Sequence, residues 1–370
     1  MKDLILNTIN KLILNKHVIN GKNVTIGFDG FIDNIYRIVY TRKENDISYF
    51  KTMSNFGSYI NDKKGKSCTI EIINQTVKIG GNMPIMALAL GNLGVNVNCI
   101  GAMGYPIINE KFNVLERVNC NLFSISEPGI TNALEFNDGK VMLSEMNMLE
   151  NITWEHIKKI IGINNLCGLI TESNIIGLVN WSEILHSNDV WEGIILDVLP
   201  MHTPNKSQIM FFDLADCSKK DDKEIKYALD LIQKFSKHFK TVIGLNENEC
   251  YKVATALQIE YEENNLLDAG DKTYGKLEVD NLIVHTRDRA ISWDETGRNS
   301  ICSFFTENPK LSTGGGDNFN AGICLSLLMG FDIKTTLVTA NASSGYYIRK
   351  GKSADIGSLI NFLRQEQNNL

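Results

Sequence analysis

Short apolar runs alternate with helical patterns along most of this chain, and that alternation constrains its fold more than any other feature. The expected strands lie at 24–28, 97–101, 166–171, 192–197, 209–214 and 241–245. The expected helices lie at 3–18, 83–93, 154–161, 223–238 and 246–257, followed by a helical tail over 314–364 with breaks at Gly330 and Gly351. Strands separated by helices pair in parallel, with helices on both faces of the sheet. The sequence therefore predicts an α/β fold with a mostly parallel central sheet.

Two segments interrupt this pattern, at about 35–79 and 129–147. The first mixes β-branched and aromatic residues with Asn, Lys and Gly, which is typical of exposed strands. The second places Asn137-Asp138-Gly139 between two β-type runs, and these turn residues tolerate positive φ angles. We expect both segments to form a small β-sheet lid on a single domain of residues 1–370. Its exposed strand edges favour pairing with a second copy, so we predict a homodimer through the lid.

Composition argues against several functional classes. The chain has 370 residues, a formal net charge of -6 and no Lys/Arg-rich stripe, so nucleic acid is not an expected partner. Its eight cysteines include no C-x-x-C pair for zinc binding or redox exchange. No segment approaches about 18 consecutive apolar residues, so we expect no membrane span and a cytoplasmic location.

The most informative stretch covers residues 313–322, Thr-Gly-Gly-Gly-Asp-Asn-Phe-Asn-Ala-Gly, and precedes an apolar helical pattern. Gly314, Gly315 and Gly316 leave backbone N–H groups open at the positive end of a helix dipole, where phosphate oxygens bind. Asp317 would repel a resting anion, but it suits a base that accepts a hydroxyl proton during phosphoryl transfer. The alternative is that Asp317 only stabilises the start of the helix.

This stretch resembles the C-terminal signature Thr-Gly-Ala-Gly-Asp-x-Phe-x-x-Gly of the ribokinase-like (PfkB) family of carbohydrate kinases. Further stretches resemble other family motifs in the family's order, so the resemblance extends from about residue 24 to the end of the chain. It implies a ribokinase-like three-layer sandwich with a small β-sheet lid. It also implies an ATP-dependent sugar kinase that uses Mg²⁺ and transfers the γ-phosphoryl group to a primary hydroxyl of a carbohydrate.

The resemblance places sugar contacts in the first strand and in a later Gly-Gly turn. The segment 26–33 is similar to the family's first strand, whose terminal Asp holds sugar hydroxyls, with Asp33 as the candidate and Asp29 as its competitor. Gly80-Gly81-Asn82 is similar to the signature Gly-Gly-x-x-x-Asn-x-Ala. The implied substrate-binding residues are Asp33, Asp29, Gly81, Asn82 and Glu172. For Asp29 and Asp33 the alternative is turn chemistry, and for Glu172 a surface position.

Later motifs imply nucleotide and metal contacts. The segment 246–249 matches the family's Asn-x-x-Glu, which implies that Glu249 holds Mg²⁺, largely through water. On spacing alone, this segment predicts a helix cap. The implied nucleotide-binding residues are Asn246, Thr286, Thr313, Gly314, Gly316 and Asn341. Lys219 or Lys220 follows a strand end similar to the family's Phe-Asp-Pro motif, which implies a phosphate contact, with solvated lysines as the alternative.

Departures from the family pattern keep other functions open. Ile85 replaces the family's Asn, Asp288 replaces a Gly, and Leu311 stands where many members carry an Asp for a monovalent cation. A monovalent cation therefore stays open, and a non-catalytic sugar-binding regulator is one alternative. A nucleoside or vitamin-type kinase of the same superfamily, or ADP as the donor, is another. The intact Gly-Gly-Gly-Asp sequence argues against loss of catalysis.

Overall fold

The structure is a computed structural model that describes residues 1–44, 46–311 and 313–370, so Asn45 and Ser312 lie outside the described residues. The strands are β1 Asn23–Phe28, β2 Phe31–Lys43, β3 Asp46–Tyr49, β4 Ile72–Gly80, β5 Asn96–Ala102, β6 Cys120–Ser126, β7 Gly129–Glu135, β8 Lys140–Glu145, β9 Ile175–Leu178, β10 Ile209–Asp213, β11 Lys240–Asn246, β12 Asn281–His285, β13 Arg289–Asp294 and β14 Gly297–Cys302. The helices are α1 Lys2–Asn15, α2 Met53–Asp62, α3 Asn82–Asn92, α4 Asn113–Glu116, α5 Trp154–Ile161, α6 Ile163–Thr171, α7 Ser187–Gly193, α8 Asp222–Phe235, α9 Glu247–Ala256, α10 Leu266–Lys276, α11 Gly315–Leu328, α12 Ile333–Lys350 and α13 Ile356–Asn369. Among the described residues, no helix has the length and apolar character needed to cross a membrane.

Nine strands of the described chain form a central sheet in the order β14-β13-β12-β11-β10-β9-β1-β5-β6. Neighbouring strands from β6 to β12 in this order pair in parallel, whereas β13 and β14 pair antiparallel. The predicted α/β fold with a mostly parallel sheet is therefore confirmed. Because parallel strands end at one edge, the segments that follow β1, β9, β10 and β11 meet there.

Apolar cores cover the two faces of the central sheet and produce three layers. One core packs α5 to α9 against the sheet and includes Trp154 and Phe235. The other packs α1, α3 and α11 to α13 and includes Leu325. Ile5 and Leu12 of α1 are fully buried in this second core, two turns apart on one helix face. The helix predicted for residues 3–18 is thus confirmed, although it ends at Asn15.

A smaller sheet, the lid sheet, has the strand order β3-β2-β7-β8, with β4 also paired to β2. β7 and β8 form the predicted hairpin, in which Glu135 pairs with Lys140 beside the turn. The chain enters the lid sheet through β2, returns through β4 into α3, and pairs Phe31 with Gly80. The lid sheet therefore joins the main body directly beside the ends of β1 and the start of α3.

The lid contains helix α2, where the sequence analysis predicted only exposed strands. Thr52 caps this helix by accepting a hydrogen bond from the backbone N–H of Asn55 at 3.1 Å. The Phe56 ring lies 5.3 Å from that of Phe50 and 5.6 Å from that of Phe136. The aromatic residues that resembled strand residues thus pack α2 onto the lid sheet.

Two of the strands expected from the sequence are helical instead. Residues 166–171 lie in α6, and residues 192–197 lie at the end of α7 and in the helical turn that follows it. A short apolar run fits a buried strand or a buried helix segment equally well. In α6, Leu166, Cys167 and Ile170 form one buried face, as helical spacing requires. The strand in this region is β9, which the sequence analysis missed.

Candidate active site

Polar side chains from distant parts of the sequence meet at the carboxyl edge of the central sheet. Asp29 follows β1, Asn180 follows β9, Asp213 ends β10 and Asn246 ends β11. Helices α3 and α11 begin beside them, and the first turns of both helices line one cavity with Asn180. The parallel topology therefore produces a polar site from segments that are far apart in the chain.

A cavity of about 880 Å³ lies between this edge and the lid sheet, and we call it the acceptor cavity. Its lining includes the predicted site residues Asp33, Gly81, Asn82, Thr313 and Asp317. Its lid residues include Thr131, Met142 and Ser144. The cavity has the size of a small-molecule site, and its polar groups come from both sheets.

Asp317 lies in the first turn of α11 and lines the acceptor cavity. Burial raises the pKa of its carboxyl well above the usual value, and the nearby carboxylates of Asp213 and Asp29 raise this pKa further. A carboxylate with a raised pKa has a high affinity for a proton. Asp317 therefore lies where a ligand hydroxyl in the cavity can contact it, and its role as the proton acceptor stays a prediction.

Gly314 caps α11 in the left-handed conformation, with a φ of 92°. A Cβ atom at this position would lie 2.6 Å from the hydroxyl oxygen of Tyr347. That hydroxyl donates a hydrogen bond of 3.1 Å to the carbonyl oxygen of Thr313. Only glycine fits this turn, and the turn leaves the first N–H groups of α11 without partners inside the helix.

Asp29, predicted as an alternative sugar ligand, is instead a buried helix cap. Its carboxylate accepts hydrogen bonds from the backbone N–H groups of Asn82 at 2.7 Å and Met83 at 2.8 Å. The side-chain amide of Asn180 donates a third bond at 2.6 Å. Asp29 is absent from the described lining of the acceptor cavity. Burial raises the pKa of Asp29 to about 6 despite these three donors.

Asp33 differs from Asp29 because it lines the acceptor cavity. It lies on β2 opposite Lys78 of β4 and Thr131 of β7. Burial raises the pKa of Asp33, while the positive charge of Lys78 opposes that shift. The Asp33 carboxylate also lies so close to Gly80 that a Cβ atom there would collide with it. Asp33 thus lines the cavity, and its role as a ligand for sugar hydroxyls stays a prediction.

Asn180 and Thr131 line the acceptor cavity but were missed in the sequence analysis. Asn180 has a φ of 56°, and its side-chain oxygen is buried without a hydrogen-bond partner among the described residues. It follows β9, so the missing strand assignment hid its position. Thr131 depends on the register of the lid sheet, which places it beside Asp33.

A groove of about 710 Å³ lies on the other side of the start of α11, and we call it the nucleotide groove. It contains predicted nucleotide-binding residues, namely Asn246, Thr286, Gly316 and Asn341. The Thr286 hydroxyl donates a hydrogen bond of 2.6 Å to Asp288, so the turn forms although Asp288 replaces the family's glycine. Gly315 also lines this groove, whereas Thr313 lines the acceptor cavity. The start of α11 therefore separates the two spaces.

His285 ends β12 and lines the nucleotide groove with a half-buried side chain. Its ring centroid is 4.9 Å from that of Phe319, and burial lowers its pKa to about 4. His285 is therefore neutral at physiological pH, and it contributes packing and polarity without a positive charge.

Glu249, the predicted Mg²⁺ residue, forms a capping box with Asn246 in α9. Glu249 accepts a hydrogen bond of 2.8 Å from the backbone N–H of Asn246 and donates its own N–H to the Asn246 side chain at 3.0 Å. Burial, and then the charge of Asp213, raise the pKa of Glu249 to about 9. The predicted alternative of a helix cap is therefore present in the structure.

Four carboxyl groups form a concentrated acidic site: those of Asp29, Asp213, Glu249 and Asp317. Burial raises the pKa of each of them, and Asp317 feels the charges of the other three. None of the four forms a salt bridge with a lysine or arginine of the described residues. Among the described residues, no group of three or more Asp, Glu, His or Cys side chains is arranged to hold a metal ion directly, so a divalent cation here would bind largely through water.

The predicted residues Glu172 and Lys219 lie at different positions relative to the acceptor cavity. Glu172 is exposed at the end of α6, before β9 begins, and therefore at the edge opposite to the acceptor cavity. A sugar contact for Glu172 does not fit this position, which follows from the helical conformation of residues 166–171. Lys219 lies at the acceptor cavity and forms an ion pair of 3.3 Å with Glu183.

The fold and the site define a carbohydrate kinase: a ribokinase-like sandwich, an acceptor cavity under a lid sheet, and an aspartate at the start of a glycine-capped helix. Residues 12–366 match the prokaryotic ketohexokinase family. The chain belongs to that family.

Individual relatives support this assignment. A ketohexokinase of Haloferax volcanii is 27% identical over 336 residues, which cover 90% of this chain and 88% of the relative. Among solved structures, Arabidopsis thaliana ribokinase in complex with ribose and ATP has a TM-score of 0.62 and 14% identity, covering 93% of this chain and 98% of that one. An E. coli protein solved with ATP and Mg²⁺ has a TM-score of 0.64 and 13% identity, covering 93% and 99%. The two solved structures support the fold.

Proposed function

We propose that this carbohydrate kinase is an ATP-dependent ketohexokinase that phosphorylates a primary hydroxyl of a ketohexose such as fructose. One observation carries the proposal: the first turn of α11 places Asp317 in the acceptor cavity and Gly315 and Gly316 in the nucleotide groove. A hydroxyl and a phosphoryl group can therefore meet at one helix start. The family and the Haloferax volcanii relative support the ketohexose as acceptor.

In this proposal, Asp317 takes the proton of the attacking hydroxyl as the new O–P bond forms and the bond between the γ-phosphorus and the β–γ bridging oxygen of ATP breaks, which releases ADP. The N–H groups at the start of α11 bind the oxygens of the transferring phosphoryl group, where the helix dipole favours negative charge. Phosphoryl transfer depends mainly on such positioning and charge stabilisation. Gly314 maintains the turn that exposes these N–H groups.

Mg²⁺ and ATP are the proposed cofactor and donor. Glu249, with Asp213 beside it, would hold Mg²⁺ largely through water, because Mg²⁺ keeps most of its hydration shell in such sites. When bound, Mg²⁺ supplies positive charge that neutralises the phosphate oxygens. Asn246, Thr286 and Asn341 line the groove proposed for the nucleotide.

The proposed sugar contacts are Asp33, Asn82, Thr131 and Asn180, which all line the acceptor cavity. Carboxylate, amide and hydroxyl side chains supply both donors and acceptors, as a polyhydroxylated ligand requires. Ile85 lines the same cavity and adds an apolar surface where the family pattern has an asparagine. Closure of the lid sheet over the sugar would exclude water from the reacting groups.

A cytoplasmic location completes the proposal, because the donor is a cytoplasmic nucleotide. The free cysteines support it: each cysteine of the described chain is unpaired, and Cys99, Cys217 and Cys324 are buried. Unpaired buried thiols suit a reducing compartment.

The proposal is tested by measuring turnover with Mg-ATP and Mg-ADP against ketohexoses, aldohexoses, pentoses and nucleosides. We expect turnover of a ketohexose with Mg-ATP, with the product carbon identified by ³¹P–¹H NMR. Asp317→Asn should lower kcat by about 10²- to 10⁴-fold and retain sugar binding, since the amide preserves shape but accepts no proton. Turnover of nucleosides alone, or undiminished turnover by the variant, would refute the proposal.

A further inference from the structure

The β7–β8 hairpin of the lid sheet borders both ligand spaces. Its stem contributes Thr131, Met142 and Ser144 to the acceptor cavity. Its tip contributes Asn137 to the nucleotide groove, across from the segment 246–248 at the start of α9. One continuous hairpin therefore spans the distance between the acceptor and the donor.

The tip of this hairpin has a fixed position within the lid. The backbone N–H of Asn137 donates a hydrogen bond of 2.8 Å to the carbonyl oxygen of Lys51. The Asp138 carboxylate accepts a bond of 3.0 Å from the N–H of Met53, at the start of α2. Phe136 is buried against the aromatic residues that hold α2. The tip thus moves with the whole lid sheet, because its contacts are internal to the lid.

The side chain of Asn137 is exposed, although its backbone is fixed. Its amide forms no side-chain hydrogen bond within the described residues, whereas neighbouring Asp138 is engaged in the contact with Met53. An amide offers both a donor and an acceptor, so it can pair with the phosphate, ribose or base of a nucleotide. Asn137 is therefore a free polar group on a rigid tip, beside the groove where the nucleotide is proposed to bind.

We propose that Asn137 binds the nucleotide directly when the lid is closed over the sugar. This inference rests on the function proposed above. The contact would make sugar and nucleotide binding cooperative, because closure over the sugar brings the Asn137 amide to the donor. By thermodynamic reciprocity, each ligand then increases the affinity for the other by the same factor.

The test compares Asn137→Ala with the wild-type enzyme by calorimetric titration of a non-hydrolysable ATP analogue with Mg²⁺, with and without saturating ketohexose. Loss of one hydrogen bond should weaken analogue binding in the presence of sugar by roughly three- to tenfold. Binding without sugar should change less, since no sugar then holds the lid sheet closed. The control is Gln75→Ala, which removes an exposed amide on β4 that lines neither space and donates only to the carbonyl oxygen of Ile73 in its own strand.

The outcomes separate this inference from the proposed function. Equal analogue affinities for Asn137→Ala and the wild-type enzyme in the presence of sugar would overturn the inference while kinase activity stands. An equal loss in Gln75→Ala would overturn it as well, since the effect would not be specific to Asn137. A wild-type enzyme that phosphorylates no sugar would instead refute the proposed function.

Discussion

Asp29 and Asp33 are the same residue type, four positions apart, yet their surroundings give them different tasks. Three N–H donors bond the carboxylate of Asp29, and the side chain is fully buried outside the described lining of the acceptor cavity, so a ligand does not reach it. Asp33 lies beyond the turn on β2 and lines the acceptor cavity. At residue scale, therefore, hydrogen-bond partners distinguish the helix cap from the proposed sugar ligand.

Asp29→Ala should lower the free energy of unfolding by about 1–3 kcal/mol, because it leaves buried N–H donors without partners. Urea unfolding followed by circular dichroism measures this change. Asp33→Ala is the matched control, and it should weaken sugar binding with little loss of stability, since burial disfavours the Asp33 charge in the folded state. Equal destabilisation by the two substitutions would contradict the assignment of a cap role to Asp29 alone.

The buried acidic groups predict a pH dependence of stability. The folded-state pKa is about 6 for Asp29 and about 9 for Glu249, both above their ordinary values of 3.8 and 4.5. Between its ordinary pKa and its folded-state pKa, each group binds more protons in the folded protein than in the unfolded chain. The free energy of unfolding therefore falls as pH rises through that range, by at most about 1.4 kcal/mol per pH unit for each group.

Urea unfolding of the free enzyme should show that the free energy of unfolding decreases from about pH 5 to about pH 9, because the pKa values of both groups are raised in the folded protein. Mg-ATP should flatten the profile, because a cation favours the ionised carboxylates. Glu249→Gln should also reduce the slope, since it removes a titrating group. A wild-type stability that rises over this pH range would contradict the prediction.

Part of the site could be predicted from the sequence at residue scale. The glycine-rich stretch and Asn246–Glu249 are contiguous, so their helix-start positions could be predicted from spacing and from the family resemblance. Asn180 and Thr131 could not, because their positions depend on a strand assignment and on the pairing of β2 with β7. Glu172 was assigned wrongly for the same reason, since its location depends on whether α6 is a helix or a strand.

At the scale of one element, helix α11 contains the proposed catalytic aspartate and the proposed phosphate-binding turn. Gly314→Ala should lower kcat by about 100-fold, because a Cβ atom would displace Tyr347 or shift the turn that aims the N–H groups. Steady-state kinetics measures this change. The matched control is Gly330→Ala, at the other end of the same helix, where φ is also positive but the space is open. Gly330→Ala should lower the free energy of unfolding by about 1 kcal/mol and leave kcat unchanged. If Gly330→Ala lowered kcat as much as Gly314→Ala does, the proposed role of the Gly314 turn would be refuted.

Most secondary-structure elements could be predicted because their patterns are long or bounded by strong turn residues. The hairpin with its Asn-Asp-Gly turn, α5 and α8 are examples. The errors fall on short apolar runs in the middle of the chain, where α6 and α7 resemble buried strands. Helix α2 was missed because Phe56 and Tyr59 are aromatic residues that also suit strands, and their packing onto Phe50 is a tertiary contact.

At the scale of the whole molecule, we predict that two copies of the chain associate through their lid sheets. The edge strand β8 exposes Met142 and Leu143, with 44% and 53% of their surfaces accessible. Exposed apolar side chains on an unpaired strand edge favour association with a second copy. Sedimentation velocity should show a species of twice the 41.5 kDa chain mass, and a monomer at all concentrations would refute this prediction.

The pairing of Phe31 with Gly80 places both connections of the first lid segment beside the ends of β1 and α3. If the lid sheet rotates about this point, Asp33 lies close to the rotation axis and Asn137 lies far from it; we call these two distances the short arm and the long arm. The β7 strand has seven residues, so the long arm measures roughly 20 Å. A rotation of about 10° would then move the tip by roughly 3–4 Å, the difference between a hydrogen bond and a gap filled by water. The lid sheet thus has the geometry of a lever, in which a small adjustment around the sugar becomes a large displacement at the nucleotide.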